Sequence, residues 1–187
     1  MPLTTYTSGE VLTASSLNAN FSVAAGTGGL QLVTAQTIGS AVGSVTVSNC
    51  FSTTYEAYKI IISGGVGSSN NTSFSMRLGA SATGYSYNML YTQYNTTLQV
   101  DAGNNTTSWF NIGAIDTTSI SLVMELNNPF LAKNTSFSTA VTRTGLAGAS
   151  QGLHTVATSY TGFTLTPDTG TITGGTIRVY GYIKAAA

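Results

Sequence analysis

From residue 30 onward the chain alternates apolar and polar positions in short runs, each closed by Gly, Asn, Asp or Ser within about eight to twelve residues. Residues 30–38 and 44–47 open this pattern. Residues 55–63 continue it, with Tyr58, Ile60 and Ile62 on one face, and residues 72–78 set Phe74, Met76 and Leu78 opposite Arg77. A glycine-containing loop then leads into a tyrosine-rich strand. Residues 108–115 and 119–126 predict a hairpin around Asp116, Thr117 and Thr118, and further strands are expected at 137–144, 153–159 and 162–166. The last run, 176–184, separates Ile177, Val179, Gly181 and Ile183 from Thr176, Arg178, Tyr180 and Tyr182, so one face enters the core and the other meets water or a neighbouring subunit. Roughly ten strands in one twisted sheet would leave an apolar face wet, so two packed antiparallel sheets are required. The expectation is an all-β, jelly-roll-like sandwich over residues 30–187, with no fixed period of the kind a propeller or solenoid imposes.

Residues 1–29 break the alternation. Thr13 or Ser15 can cap a short helical turn, and Leu17 and Phe21, four residues apart, share one side of it. The small-residue run at 24–29 reads as a linker between this arm and the body. A helix this short is marginal in water, so the segment is expected to dock on another chain, through Val11, Leu12, Leu17 and Phe21.

Composition changes the picture in one respect. Charged residues are 6% of the 187, against about 25% in an ordinary globular chain, so Thr, Ser, Asn and Gly must solvate the surface. Six basic residues balance six acidic ones, and Lys59, Arg77, Lys133, Arg143, Arg178 and Lys184 are scattered, which argues against nucleic-acid binding. With no net charge to hold copies apart, the chain reads as one that assembles. No basic-then-apolar leader is seen after Met1, and no purely aliphatic run exceeds three residues, as at Ile60 to Ile62, far too short for a membrane-spanning helix.

Candidate chemistry is sparse. The lone Cys50 excludes an internal disulfide and reads as a small core residue, and the single His154 lies in an alternating strand, where a structural or interfacial role is the default. Of the carboxylates, Glu56, Asp101 and Glu125 have contexts that would let them face a groove, but no spacing pairs them for glycoside hydrolysis. Asp101 with Asn104 and Asn105 offers oxygen ligands for Ca²⁺, although an Asn/Gly turn at a loop tip is the simpler reading. No catalytic set, cofactor or metal site is therefore expected. Recognition remains: Tyr85, Tyr87, Tyr91 and Trp109, beside Ser-, Thr- and Asn-rich loops, suit stacking on sugar rings or a subunit interface, and they also suit an ordinary core.

Two stretches carry a resemblance. "SGEVLTASSLNANF", beginning at Ser8, resembles the N-terminal segment of many tailed-phage fibre and tail-tip proteins, which share a Gly-[acidic or polar]-Val-Leu-Thr-Ala-x-x-Leu-Asn pattern. "GGTIRVYGYI", residues 174–183, resembles the last strand of the β-sandwich domains in which such proteins often end. The resemblance implies a structural virion protein assembled in the host cytoplasm: a homotrimeric tail fibre or tip. Its arm would hold a tail or baseplate protein, and its sandwich would recognise host-surface polysaccharide. A trimeric capsid decoration protein is the alternative, and a soluble lectin unconnected to phage a third reading.

Overall fold

The computed structural model describes residues 5–11, 13–26, 29–94 and 97–183, with residues 22–26 described by their backbone alone. In chain order the elements are α1 (Ala14–Gly26), β1 (Leu30–Thr37), β2 (Val45–Val47), β3 (Ala57–Ser63), β4 (Val66–Gly67), β5 (Phe74–Leu78), β6 (Tyr85–Gln93) and β7 (Leu98–Thr106). There follow β8 (Ala114–Ile115), β9 (Ile120–Asn127), β10 (Thr135–Arg143), β11 (Leu146–His154), β12 (Phe163–Pro167), β13 (Ile172–Thr173) and β14 (Thr176–Tyr182). The large sheet runs β1-β14-β3-β9-β10-β11-β6-β7, with β8 hydrogen-bonded to β9. The small sheet runs β2-β12-β5, β4 and β13 pair separately, and every pairing is antiparallel.

The alternation in the sequence explains which faces meet. Tyr58, Ile60 and Ile62 of β3, Ile120, Leu122, Met124 and Leu126 of β9, and Ile177 and Val179 of β14 are buried on one face of the large sheet. Val45 and Val47, Phe163 and Leu165, and Phe74, Met76 and Leu78 answer them from the small sheet, and all belong to one core. Burying such side chains contributes about 1.5–3 kcal/mol each, which is why a two-residue periodicity is enough to fix the layers. This is the antiparallel sandwich with a short N-terminal helix that the pattern predicts, divided unequally between its sheets.

Besides the two-residue β4 and β13, two long strands escape the sequence reading. Residues 98–106 form β7, a nine-residue edge strand, where an Asn/Gly loop tip was the simpler expectation. The irregularity is confined to its end: the register shifts between Tyr85 and Tyr87 opposite Asn105, which has φ 53°. The other is β11. The strand expected at 153–159 lies instead at Leu146–His154, and residues 155–159 are irregular. Its Ala, Gly and Ser residues have weak strand propensity, but a tight turn at Gly145 (φ 91°) pairs it with β10 from end to end. The 108–115 run is likewise only partly a strand. Asn111 (φ 54°) interrupts it, so it reaches β5 through the Met76–Trp109 bridge and β9 only through β8.

Asparagine has a structural task throughout. Asn49, Asn71, Asn105, Asn111 and Asn128 all occupy left-handed backbone, the conformation that Asn tolerates better than other side-chain-bearing residues. Asp116 ties three turns together. Its Oδ1 accepts from the Asn71 N–H (2.6 Å), and its Oδ2 accepts from the Thr144 N–H and Oγ1–H (both 3.1 Å). Burial alone would raise its carboxyl pKa, but these donors and the nearby Arg143 guanidinium outweigh it and hold the group below the usual carboxylate value. Cys50 is buried, and burial pushes its thiol up to about 12 against the opposing effect of a backbone hydrogen bond, so it packs as a small apolar residue.

Helix α1 starts where Thr13 caps it: the Ser16 N–H donates to Thr13 Oγ1 (3.2 Å) and the Leu17 N–H to the Thr13 carbonyl (3.0 Å). Glu10 closes the preceding turn by accepting from the Thr7 N–H (2.7 Å). The helix makes no substantial contact with any strand among the described residues.

Gly152 tests the packing of β11. A Cβ there would lie 2.4 Å from the Phe137 ring, 2.5 Å from the Ser86 carbonyl oxygen and 2.9 Å from Trp109 Nε1. The carbonyl belongs to a paired strand and cannot swing away. Gly152→Ala is expected to destabilise the fold by about 1–3 kcal/mol in denaturant unfolding, whereas Ala149→Gly, on the exposed face of the same strand, is expected to cost less than about 1 kcal/mol.

Candidate functional site

The four aromatic residues singled out in the sequence part company. Tyr85 and Trp109 are fully buried. The Tyr85 ring stacks on His154 (centroids 4.0 Å apart, 17° between planes) and meets Trp109 edge-on at 5.2 Å, and Trp109 packs on Phe137 at 4.8 Å. Their polar atoms are also used internally: Tyr85 Oη donates to the Ser81 carbonyl and accepts from the Leu78 N–H, and Trp109 Nε1 donates to the Leu153 carbonyl. Neither ring can reach a glycan or a second subunit, which corrects their candidate contact role. Position parity explains the outcome, because the odd-numbered face of β6 is the face that meets the small sheet.

Tyr87 and Tyr91 follow Tyr85 on that face but lie beyond the edge of the small sheet, so they are only half-buried. Tyr91 packs on Met89, Val141 and Leu146. Tyr87 leans on Phe110 at 5.8 Å, and burial, with smaller contributions from the Asp101 and Asp168 charges, raises its phenol pKa. Phe110 is the aromatic residue that the sequence reading passed over. It follows Trp109 directly, so in extended backbone it must point the opposite way, out of the core.

That side is a cleft of about 480 Å³, lined by Ser44, Ser75, Arg77, Phe110, Thr164, Thr166 and Asp168 among others. It is the outward face of the small sheet. Register builds it: Arg77 faces Thr164 and Ser75 faces Thr166 across β5 and β12, while the paired Met76–Trp109 hydrogen bonds bring Ser108 and Phe110 alongside β5. The cleft therefore offers one half-buried ring, several hydroxyls and two opposite charges.

The outward face of the large sheet is different in kind. One row crosses it with Ile61 facing Val123, Ala140 facing Ala149, Ala149 facing Leu90 and Leu90 facing Val100. Val123, Leu90 and Val100 are 48%, 46% and 59% exposed, so this row is an uncovered apolar stripe. The next row is polar: Glu125 faces both Lys59 and Ser138, Ser138 faces Gln151, and Gln151 faces Asn88. A shallow depression of about 530 Å³ opens there, bordered by Ser86, Asn88, Asn127, Ser136, Ser138 and Gln151, none of them charged.

The remaining candidates have ordinary partners. Glu125 accepts from Lys59 Nζ (2.8 Å) and Tyr182 Oη (2.6 Å), and Asp101 is held by the Asn111 side-chain amide. Asn104 accepts from Ser86 Oγ and Asn105 from the Gly84 N–H, so each of the two amide oxygens has a partner of its own. No group of three His, Cys, Asp or Glu side chains suited to a metal occurs among the described residues. In the arm, Val11, Leu17 and Phe21 are 85%, 41% and 65% exposed, while Leu12 lies outside the described residues.

His154 is fully buried, with Nε2 2.8 Å from Tyr160 Oη and Nδ1 without a hydrogen-bond partner. Burial pushes its pKa below 6.5, and the neighbouring Gly84 backbone only partly opposes that. The unfolded chain therefore takes up this proton first as pH falls, so stability is expected to decline as pH drops below about 6.5. Urea unfolding from about pH 7.5 to about pH 5.5 is expected to show that decline in the native chain and a flatter profile in His154→Gln. Comparison with protein-family models, curated proteins and solved structures gives no match to this chain.

Proposed function

We propose that the chain is a structural virion protein of a tailed phage: a short homotrimeric tail fibre or tip, attached by its N-terminal arm, whose sandwich recognises host-surface glycan. The observation that carries the reading is the division of labour between arm and body. Leu17 and Phe21 lie on a capped helix that the body does not cover, and apolar side chains left in water are stabilised by docking on another chain. The opening words of the sequence resemble the attachment segments of fibre and tail-tip proteins, which supports a tail or baseplate protein as that other chain.

The body supports the other two parts. The row from Ile61 to Val100 gives copies of the chain an apolar surface to bury, and the zero net charge gives them no reason to repel. Hydroxyls, amides and a half-buried ring in the cleft and the shallow depression match the donors, acceptors and C–H faces of sugars.

Leu17→Asp and Phe21→Asp are expected to leave the thermal unfolding of the body unchanged and to abolish incorporation into virions, measured by immunoblot of purified particles. Normal incorporation of both variants would sink the attachment role. Immunogold labelling of intact virions is expected to mark the tail; label spread over the head, with no binding of the purified protein to host cells, would favour the capsid decoration reading instead.

A further inference from the structure

In a chain with so few charges, the way each one is used is informative. Lys59 pairs with Glu125, Arg178 Nη1 donates to Ser63 Oγ (2.9 Å), and Asp116 gathers the Asn71 and Thr144 donors with Arg143 nearby. Asp101 is held by Asn111, and Glu10 accepts from the Thr7 N–H. Lys133 stands exposed in the turn before β10. Arg77 and Asp168 are unlike all of these. Both are exposed and both line the same cleft, yet they form no ion pair with each other, and neither side chain has a hydrogen-bond partner among the described residues.

Their spacing explains why they do not meet. Arg77 faces Thr164, Ser75 faces Thr166, and Asp168 lies two residues further on, its N–H on the Ser73 carbonyl. The two charges thus stand at opposite ends of a hydroxyl-lined track four strand residues long, roughly 13 Å at about 3.3 Å per residue. Phe110 flanks the middle of the track beside Ser75, steadied by Tyr87.

We propose that this cleft binds an acidic saccharide, with the sugar carboxylate on Arg77, the ring against Phe110 and hydroxyls on Ser75, Thr166 and Asp168. The chemistry selects this class. A guanidinium forks onto a carboxylate with two parallel hydrogen bonds, and an ionised Asp accepts from vicinal hydroxyls. A phosphate-rich polymer would find a single cation and be repelled by Asp168. A wholly neutral sugar would leave Arg77 without an ionic partner. The proposal rests on the reading of the body as a glycan-recognising module and narrows it to one cleft and one charge type.

The test uses the full chain on an array of oligosaccharides ending in glucuronate, galacturonate or N-acetylneuraminate, each printed beside its methyl ester and its neutral counterpart. At least one acid is expected to be retained, about tenfold or more better than its ester, and increasingly weakly as salt is raised. Arg77→Gln is expected to erase the difference between acid and ester. Asp168→Asn is expected to weaken both, and thermal unfolding is expected to be unchanged in either variant because both side chains are exposed. Equal retention of acid and ester, or an acid preference that survives Arg77→Gln, would overturn the acidic-sugar assignment and leave glycan recognition standing. Retention of no glycan of any kind would overturn both.

Discussion

The structure depends on how a three-stranded sheet covers a sheet of nine. Where β2, β12 and β5 lie over β14, β3, β9 and β10, aliphatic side chains from both layers fill the core. Beyond them the inward faces of β11 and β6 meet the Trp109 segment, which bridges to β5, and the aromatic group of Tyr85, Trp109, Phe137 and His154 closes that end of the core. Each aromatic contact contributes about 0.5–1.5 kcal/mol beyond the area it buries. The polar atoms of these rings also tie the layers together: Tyr85 of the large sheet accepts from Leu78 of the small one, and Trp109 donates to Leu153. Gly152 is small because two rings of this cluster, Phe137 and Trp109, and the Ser86 carbonyl crowd the space a side chain would take.

Both surfaces argued to be functional follow from that mismatch in width. The small sheet ends short of Tyr87, so Phe110 packs on Tyr87 at its margin and lines the cleft. The large sheet turns a broad second face outward, and its central row is apolar. A sandwich with matched layers would have buried Tyr87 and Tyr91 as completely as Tyr85. Charge is then placed sparingly: Asp116 fastens the turns on one side, Lys59–Glu125 marks the outer face, and Arg77 and Asp168, in no ion pair among the described residues, stand at the two ends of the cleft.

Much of the fold was legible in single residues. Tyr58, Ile60 and Ile62, Phe74, Met76 and Leu78, and Ile177 and Val179 are spaced two apart, and the structure buries all of them. Thr13 could be read as a helix cap because a hydroxyl just ahead of a helical run has one obvious use, the orphan N–H groups of the first turn. By contrast β11 was misplaced and β7 read as a loop, because Ala-Gly-Ala-Ser-Gln-Gly and Asp-Ala-Gly-Asn-Asn carry weak strand propensity and are held by neighbours distant in sequence. The candidate site was half legible. Aromatic residues near hydroxyl-rich runs stand out in the sequence, but which of two neighbours faces out does not: Trp109 is core and Phe110 lines the cleft.

The amino-acid sequence by itself determined the class of fold, the two-residue face of each strong strand, the cap of the helix and the scarcity of charge, since all of these are set by residues close together in the chain. The tertiary structure alone decided which aromatics are core, which strand lies at the edge and which charges share a cleft. Those outcomes depend on where the small sheet ends against the large one and on the cross-strand register. Arg77 and Asp168 are ninety-one residues apart in sequence, and only the pairing of β5 with β12 places them on one track.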